Sequence, residues 1–270
     1  MIAKMYKRRE KLALILLGIT LLILAAYVGY VNPQSGMEWL EASALLLPVL
    51  LMASILLSSR NKYNQVKNMS IPEADGPLLD REHVVWKPDA GFIPRLLAFQ
   101  KNGAYAGVLE PVNLPWWLQP LVWFRNSFLF LVPSAFSFYN SKGEEVFRLK
   151  RKGFKETVVT ICDGEGTHLG NYVQEEFKSF LHIKGEIQDN QGNALLPVKT
   201  SSFSGDFSLY DEQDHRWAHF YNGRFPHEYT KIFRDVDNDI VDLSDQLSYE
   251  HKVLLLGTIS FLFMNRMIHQ

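Results

Sequence analysis

Three aspartates at alternating positions, Asp235, Asp237 and Asp239, have the spacing closest to that of a metal site. Alternating carboxylates open the Ca²⁺-binding loop of EF-hands, where their oxygens coordinate the ion. The pattern then departs from such a loop, because Ile240 replaces the glycine of position six and Gln246 replaces the glutamate of position twelve. We therefore expect a solvated turn or strand edge here, with Ca²⁺ binding as the alternative.

Lys150, Arg151, Lys152 and Lys155 form the densest basic cluster beyond the N-terminal region. Each basic side chain close to an anionic membrane surface contributes about 1 kcal/mol of attraction. The alternative is an ordinary solvated hairpin. These four residues are therefore the candidates for contact with lipid headgroups.

Catalytic chemistry has little support in the sequence. His215 and His219 are four residues apart but belong to no H-E-x-x-H pattern, and Cys162 is the single cysteine, so no intrachain disulfide can form. The chain has no G-x-S-x-G elbow, no C-x-x-C pair and no kinase motif set. We expect a non-enzymatic protein without a cofactor.

The N-terminal sixty residues are far more apolar than the rest of the chain. Residues 12–31 form an uncharged apolar run of the length that crosses a bilayer at 1.5 Å per residue. A second run spans about 40–57 with Pro48 inside it, and residues 32–36 between the runs have turn composition. Residues 1–58 are therefore predicted to form a transmembrane helical hairpin.

The charges that flank the two runs predict the orientation of this hairpin. Basic residues stay on the cytoplasmic side of a membrane, so both ends of the hairpin should be cytoplasmic and its tip outside. A cleaved signal peptide is the alternative, but the first apolar run is longer than its usual core of about 7–15 residues. The basic residues are Lys4, Lys7, Arg8, Arg9 and Lys11 before the first run and Arg60, Lys62 and Lys67 after the second.

The remainder of the chain has the pattern of a β-rich domain. After a linker at 59–80, short apolar runs alternate with Asp/Asn/Gly turns at 8–12-residue spacing, which is typical of an antiparallel barrel or sandwich. Residues 253–264 are apolar on every face but too short to span a bilayer comfortably. We expect a domain over 81–270 with a helix at about 248–266 buried inside it.

The tryptophan-rich stretch 114–133 has two interpretations. Trp116 and Trp117 suit the headgroup region of a membrane, whereas Arg125 and Asn126 make the stretch a poor third span. One interpretation is a membrane-proximal interfacial segment that leads into a buried strand. The other is ordinary domain core.

The order of these motifs resembles the tubby C-terminal-like superfamily, which contains tubby proteins, plant LURP-one-related proteins and phospholipid scramblases. The resemblance covers about residues 95–268 and implies an approximately 12-stranded barrel around a buried C-terminal helix. The N-terminal hairpin is not part of the family pattern. The motifs that carry it are the turns 163–166, 189–192 and, without its glycine, 211–214, the basic residues 150–152 after a strand, and residues 235–243, which resemble the scramblase D-A-D-N-F-x-I-x-F stretch.

The resemblance also implies a function. Tubby proteins bind phosphoinositide headgroups through basic side chains on the barrel, so membrane lipids are the expected partners. The alternative is that the same module binds an unidentified protein. No nucleic-acid partner is expected. The alternative function is scramblase-like translocation of phospholipid with weak Ca²⁺ dependence, for which Asp235 and Asp237 would be the matching acidic positions.

Overall fold

The structure is a computed structural model, and it divides the chain into two compact units. Within the described residues, the first contains three α-helices, and the second contains twelve strands and two further α-helices. The residues described are 2–68, 74, 78–80, 83–89, 93–124, 126–130, 132–153, 156–175, 182–201, 206–223 and 238–269.

The first unit is a helical hairpin of α1 (Ile2–Val31), α2 (Gly36–Ala44) and α3 (Leu46–Val66). Ser35 and Glu38 form a capping box that starts α2. Pro48 lies in the first turn of α3, where its missing N–H has no helical partner to lose. The proline therefore lies where α3 begins, just after α2 has ended at Ala44, and it does not interrupt either helix.

The two arms of the hairpin contact each other at both ends. Near the basic end, the Lys7 ammonium lies 5.0 Å from the centre of the Tyr63 ring and that of Lys62 lies 5.6 Å from the Tyr6 ring. Near the tip, the Tyr27 hydroxyl donates to the Glu41 carboxylate at 3.1 Å. The basic flanks of the two apolar runs therefore lie at one end of the hairpin.

The hairpin presents large apolar side chains outward. Leu22 on α1 is 71% exposed and Leu47 on α3 is 69% exposed. The segments Ala3–Val31 and Gly36–Val66 are both long and apolar enough to cross a membrane. Such outward leucine faces suit a lipid environment, since a water-exposed apolar surface of this extent is unfavourable.

The helix α3 extends into the segment 59–80 that the sequence suggested as a linker. It ends at Val66 and not near Leu57, where the apolar run stops. The extension is favourable because Lys62 and Tyr63 pack against aromatic and basic partners on α1. A 3₁₀ turn at Leu78–Asp80 then precedes the first strand.

The second unit is a nearly closed antiparallel barrel. Its sheet order is β10-β11-β12-β1-β2-β3-β4-β5-β6-β7-β8-β9, and the end strands β9 and β10 lie next to each other. The predicted fold is thus confirmed. The strands are β1 (His83–Asp89), β2 (Arg95–Gln100), β3 (Tyr105–Val112), β4 (Ser134–Asn140), β5 (Glu145–Lys152), β6 (Glu156–Asp163), β7 (His168–Glu175), β8 (His182–Asp189), β9 (Ala194–Ser201), β10 (Phe207–Tyr210), β11 (Arg216–Gly223) and β12 (Asn238–Leu243).

Four hairpins of the barrel use one turn chemistry. In each, the Oδ1 atom of the first turn residue accepts hydrogen bonds of 2.8–3.0 Å from the backbone N–H groups two and four residues later. The fourth residue has positive φ, which is glycine in three turns and Asp214 (φ 65°) in the last. Aspartate tolerates this conformation, which explains the missing glycine. The first residues are Asn140, Asp163, Asp189 and Asp211.

The helix α5 (Tyr249–His269) supplies the centre of the barrel core. Ser248 caps its start by accepting from the His251 N–H, and every residue from 253 to 264 is buried. The Phe261 ring lies 5.9 Å from the Phe130 ring and 6.2 Å from the Tyr172 ring. The terminal apolar segment is therefore a core helix, as its length predicted.

Small residues let α5 approach the strands closely. A Cβ atom on Gly257 would lie 3.0 Å from the Leu149 Cδ2 atom and 3.1 Å from the Ile161 Cγ2 atom. The buried Thr258 and Ser260 hydroxyls donate to the backbone carbonyls of Leu254 and Gly257 within the helix. These polar side chains are thus satisfied without a partner on the strands.

We expect residues 78–270, expressed without the hairpin, to remain soluble without detergent. The reason is that residues 253–264 are already buried against strands and need no lipid. The measurement is the monodispersity of the purified fragment in detergent-free buffer, with the full chain, which should require detergent, as its control. A fragment that partitions wholly into detergent and folds only there would overturn the assignment of α5 as a core helix.

Candidate functional site

The basic cluster lies at the end of β5, and the alternation of the strand divides it. Lys150 and Lys152 are exposed on the outer face, whereas Arg151 points inward with Leu149 and is buried. The predicted patch of adjacent cations is therefore corrected to two lysines, because successive side chains of a strand face opposite sides. Lys155 lies outside the described residues.

Arg151 has a structural position at the edge of the barrel interior. Its Nη1 atom donates to the Phe130 carbonyl at 2.8 Å, and its Nη2 atom donates to the Thr157 hydroxyl at 3.2 Å. The guanidinium also lies 4.9 Å from the centre of the Phe130 ring. Arg151 thereby fixes the turn that leads from Phe130 into β4, next to the two lysines.

The outer face of β5 carries a third cation that is already neutralised. The Arg148 guanidinium donates two hydrogen bonds of 2.7 Å to the Glu145 carboxylate. These bonds, supported by the Ser137 hydroxyl, hold the pKa of Glu145 below its ordinary value despite partial burial. Among the described residues, neither Lys150 nor Lys152 forms such an ion pair, so these two lysines carry the free positive charge of this face.

The tryptophan-rich stretch has one buried side and one exposed side, so it belongs in part to the domain core. It forms a turn followed by the short helix α4 (Gln119–Phe124). Leu118 in the turn and Val122 in the helix are buried in the barrel core. The opposite side presents Trp117, 48% exposed, and Leu121, 42% exposed, which are also four residues apart. Trp116 beside them is 82% exposed. One side of the stretch is therefore core, and the other is an exposed apolar patch.

The topology brings this patch and the lysines to the same end of the barrel. The segment with Trp116 and Trp117 leaves the end of β3, β4 starts beside it, and β5 ends beside β4. In register terms, Val112 pairs with Ala135, and Ala135 pairs with Lys150. We call the set Trp116, Trp117, Leu121, Lys150 and Lys152 the rim patch.

A cleft of about 210 Å³ opens at the base of the rim patch. Its walls are mostly apolar side chains, together with three cations, and none of the described residues that line it is acidic. Such a site suits a ligand that is apolar in part and negatively charged in part. The lining residues are 111–115, Leu129, 132–135 and 150–152.

Ser134 contributes a polar group to this cleft. The residue is 9% exposed, and among the described residues its hydroxyl has no hydrogen-bond partner. Burying a hydroxyl without a partner is unfavourable, and native proteins rarely do so. The Ser134 Oγ atom is itself buried within the wall of the cleft, below the surface that a ligand could contact.

Of the candidate metal residues, Asp239 is described, and it lies on β12. Asp239, 13% exposed at its side chain, forms an ion pair with Arg266 near the end of α5, so its charge is already compensated. Asp235 and Asp237 lie outside the described residues. Within the described residues, no group of three or more His, Cys, Asp or Glu side chains is arranged to hold a metal ion.

The two histidines that are four residues apart have separate carboxylate partners. The Nδ1 atom of His215 lies 3.3 Å from Asp211, and the Nε2 atom of His219 lies 2.9 Å from Asp206. Cys162 is a buried free thiol in β6. These side chains are accounted for by local contacts within the sheet.

Comparison with known protein families, curated protein sequences and solved structures finds no match to this chain. The rim patch and its cleft therefore have to be interpreted from their own chemistry.

Sequence reasoning identified two parts of the site and missed two others. The lysines and the tryptophans stand out by composition, but their proximity depends on strand pairing between β3, β4 and β5. The alternation of β5 was a signal that could have separated Arg151 from the lysines. Ser134 and the cleft have no local sequence signal, because both arise from the way the segment after β3 folds back.

Proposed function

We propose that this protein is a membrane-anchored, non-enzymatic module whose barrel contacts anionic lipid headgroups through the rim patch. The observation that carries the proposal is the combination, at one end of the barrel, of two exposed tryptophans with two exposed lysines that form no ion pair among the described residues. Tryptophan rings favour the interface between headgroups and acyl chains, and lysines favour anionic headgroups. Either group alone is common on protein surfaces, but together they match the two layers of a membrane surface.

The hairpin supports the proposal because its two helices are long and apolar enough to cross a membrane. Two helices with outward leucines are compatible with a double crossing, and the contacts between Lys7 and Tyr63 put the basic ends on one side. By the positive-inside rule, that side is the cytoplasmic one. The barrel follows α3, so we infer a multi-pass protein of the plasma membrane with a cytoplasmic barrel.

The resemblance to the tubby C-terminal-like superfamily agrees with this proposal. The superfamily would account for a barrel around a C-terminal helix and for basic lipid-contacting side chains at the end of a strand. Ca²⁺-dependent lipid translocation remains the alternative, and its matching positions, Asp235 and Asp237, lie outside the described residues. The rim patch supports lipid contact, which is the function proposed.

The inferred orientation predicts the behaviour of topology reporters. A reporter fused after Gln270 should be active only in the cytoplasm, and one inserted at residues 34–36 only outside. The measurement is reporter activity in cells, with both fusions expressed at equal levels. The opposite pattern would overturn the cytoplasmic placement of the barrel.

Depth-dependent fluorescence quenching tests the rim patch directly. In a Trp39→Phe background, which removes the one tryptophan of the hairpin, the full chain is placed in bilayers that contain anionic lipid and phospholipids brominated near the headgroup. We expect Trp116 and Trp117 to be quenched, because interfacial rings lie at that depth. Trp86 is fully buried in the barrel and should not be quenched.

The matched variant is Trp116→Phe with Trp117→Phe. It should remove most of the quenchable emission while leaving the thermal midpoint of the barrel unchanged, since both side chains are exposed. Equal quenching with and without the two tryptophans would contradict membrane contact by the rim patch.

A further inference from the structure

The cleft at the base of the rim patch differs from the flat surface that headgroup contact alone requires. Surface contact needs exposed lysines and tryptophans, which the rim patch supplies. The cleft adds an apolar wall, formed in part by Leu114, Leu129 and Val132. An ionic headgroup gains nothing from such a wall, whereas burying the methylene groups of an alkyl chain against it is favourable.

The charge of the cleft restricts the other end of the ligand. Lys150, Arg151 and Lys152 line it, and none of the described lining residues is acidic. Arg151 already donates to Phe130 and Thr157, so the exposed ammonium groups of Lys150 and Lys152 are the donors that face a ligand. These two cations suit the oxygens of a carboxylate or a phosphate and disfavour a cationic head.

The size of the cleft restricts how much of a ligand can enter. Its volume of about 210 Å³ is below the ~300–1,000 Å³ of sites that enclose a drug-sized molecule. A whole two-chain phospholipid therefore does not fit. A charged head followed by the first part of one chain matches the available space.

We infer that the cleft binds one single-chain anionic amphiphile, a fatty acid or a lysophospholipid. Its head lies with Lys150 and Lys152, and the first carbons of its chain contact the apolar wall. The inference rests on the proposed function, because a rim patch at the membrane surface is what brings such amphiphiles to the cleft.

The test is photolabelling of the full chain in phosphatidylcholine nanodiscs with a fatty acid that carries a diazirine on its chain. We expect labelled peptides from residues 111–115 and 129–135, in addition to any label on the hairpin. Excess lysophosphatidic acid should reduce the cleft labelling at least tenfold, whereas lysophosphatidylcholine and inorganic phosphate should have little effect. Weaker displacement by lysophosphatidic acid than by unlabelled fatty acid would identify the carboxylate as the preferred head.

Two variants examine the two halves of the site. Val132→Trp fills the cleft and should reduce labelling of the cleft at least tenfold. The control is Val173→Trp, the same change on β7, which should leave that labelling unchanged. If Val132→Trp does not fold, Ala135→Leu is a smaller change that also fills the cleft. Lys150→Gln with Lys152→Gln should weaken labelling severalfold with an unchanged thermal midpoint, because it removes the two exposed charges at the cleft.

The outcomes separate this inference from the proposed function. The inference would be overturned if the label were confined to the hairpin or if Val132→Trp did not affect labelling of the cleft. If inorganic phosphate alone displaced the label, the cleft would be a site for anions only, and the chain-binding part of the inference would be wrong. Val132→Trp leaves the two tryptophans and the two lysines in place. If quenching by brominated phospholipid persists while cleft labelling is absent, the inference fails and the proposed function stands; if quenching is also absent, both fail.

Discussion

The substitution Leu255→Asp is expected to unfold the barrel. Leu255 is completely buried in α5 and belongs to the central apolar cluster. Truncating a buried leucine already costs about 2–5 kcal/mol, and an unpaired carboxylate in the same place adds a desolvation penalty. Since domains of ordinary stability have about 5–15 kcal/mol in total, the variant should lose most or all of its folded population.

The measurement is a chemical denaturation curve, followed by tryptophan emission. The matched control is Leu121→Asp, the same chemical change at a leucine that is 42% exposed, which should alter the free energy of unfolding by less than about 0.5 kcal/mol. A Leu255→Asp protein with a normal denaturation midpoint would show that α5 is not the core of the barrel.

Reversing both rim lysines, by Lys150→Glu with Lys152→Glu, should nearly abolish binding of residues 78–270 to anionic vesicles. Each lysine contributes about 1 kcal/mol at an anionic surface, and reversal both removes an attraction and adds a repulsion. The combined loss of about 4 kcal/mol corresponds to a roughly thousandfold weaker partition at low salt. High salt should also weaken vesicle binding by the wild-type domain, because it screens exposed charges.

The control reverses two other lysines and so changes the net charge equally. Lys184 and Lys199 face each other across β8 and β9 and are both exposed. Their reversal should weaken binding by less than about tenfold, since only long-range repulsion is added. Vesicle sedimentation measures both variants, and equal losses would attribute binding to net charge and remove the rim patch from the proposal.

The hairpins of the barrel were predictable because their determinants are local. A turn that begins with Asp189 needs only the amides of Gln191 and Asn193, all within five residues. The buried helix was predictable for a related reason, since residues 253–264 are apolar on every face and too few for a bilayer. Both conclusions depend on information contained in one segment.

The strands β1 and β12 were not predictable in this way. Their hydrogen-bonded partners are far apart in sequence, because His83 pairs with Asp242. β1 also lacks an alternating pattern, as most of it is buried on both faces. Asp239 was expected on a solvated turn or strand edge, and its pairing with Arg266 was not foreseen. Asp242 on the same strand pairs with His83, which is also far away in sequence. The spacing of residues in one segment carries no information about such long-range partners.

The helix that fills the barrel follows all twelve strands in the chain, and this order has a consequence for biosynthesis. When a ribosome has completed Leu243, every strand exists but the apolar interior still lacks residues 253–264. The nascent strands then expose the surfaces that α5 will cover, and exposed apolar surfaces and unpaired strand edges favour aggregation. Productive folding of the barrel is therefore confined to the period after α5 emerges, by which time the hairpin has long left the ribosome.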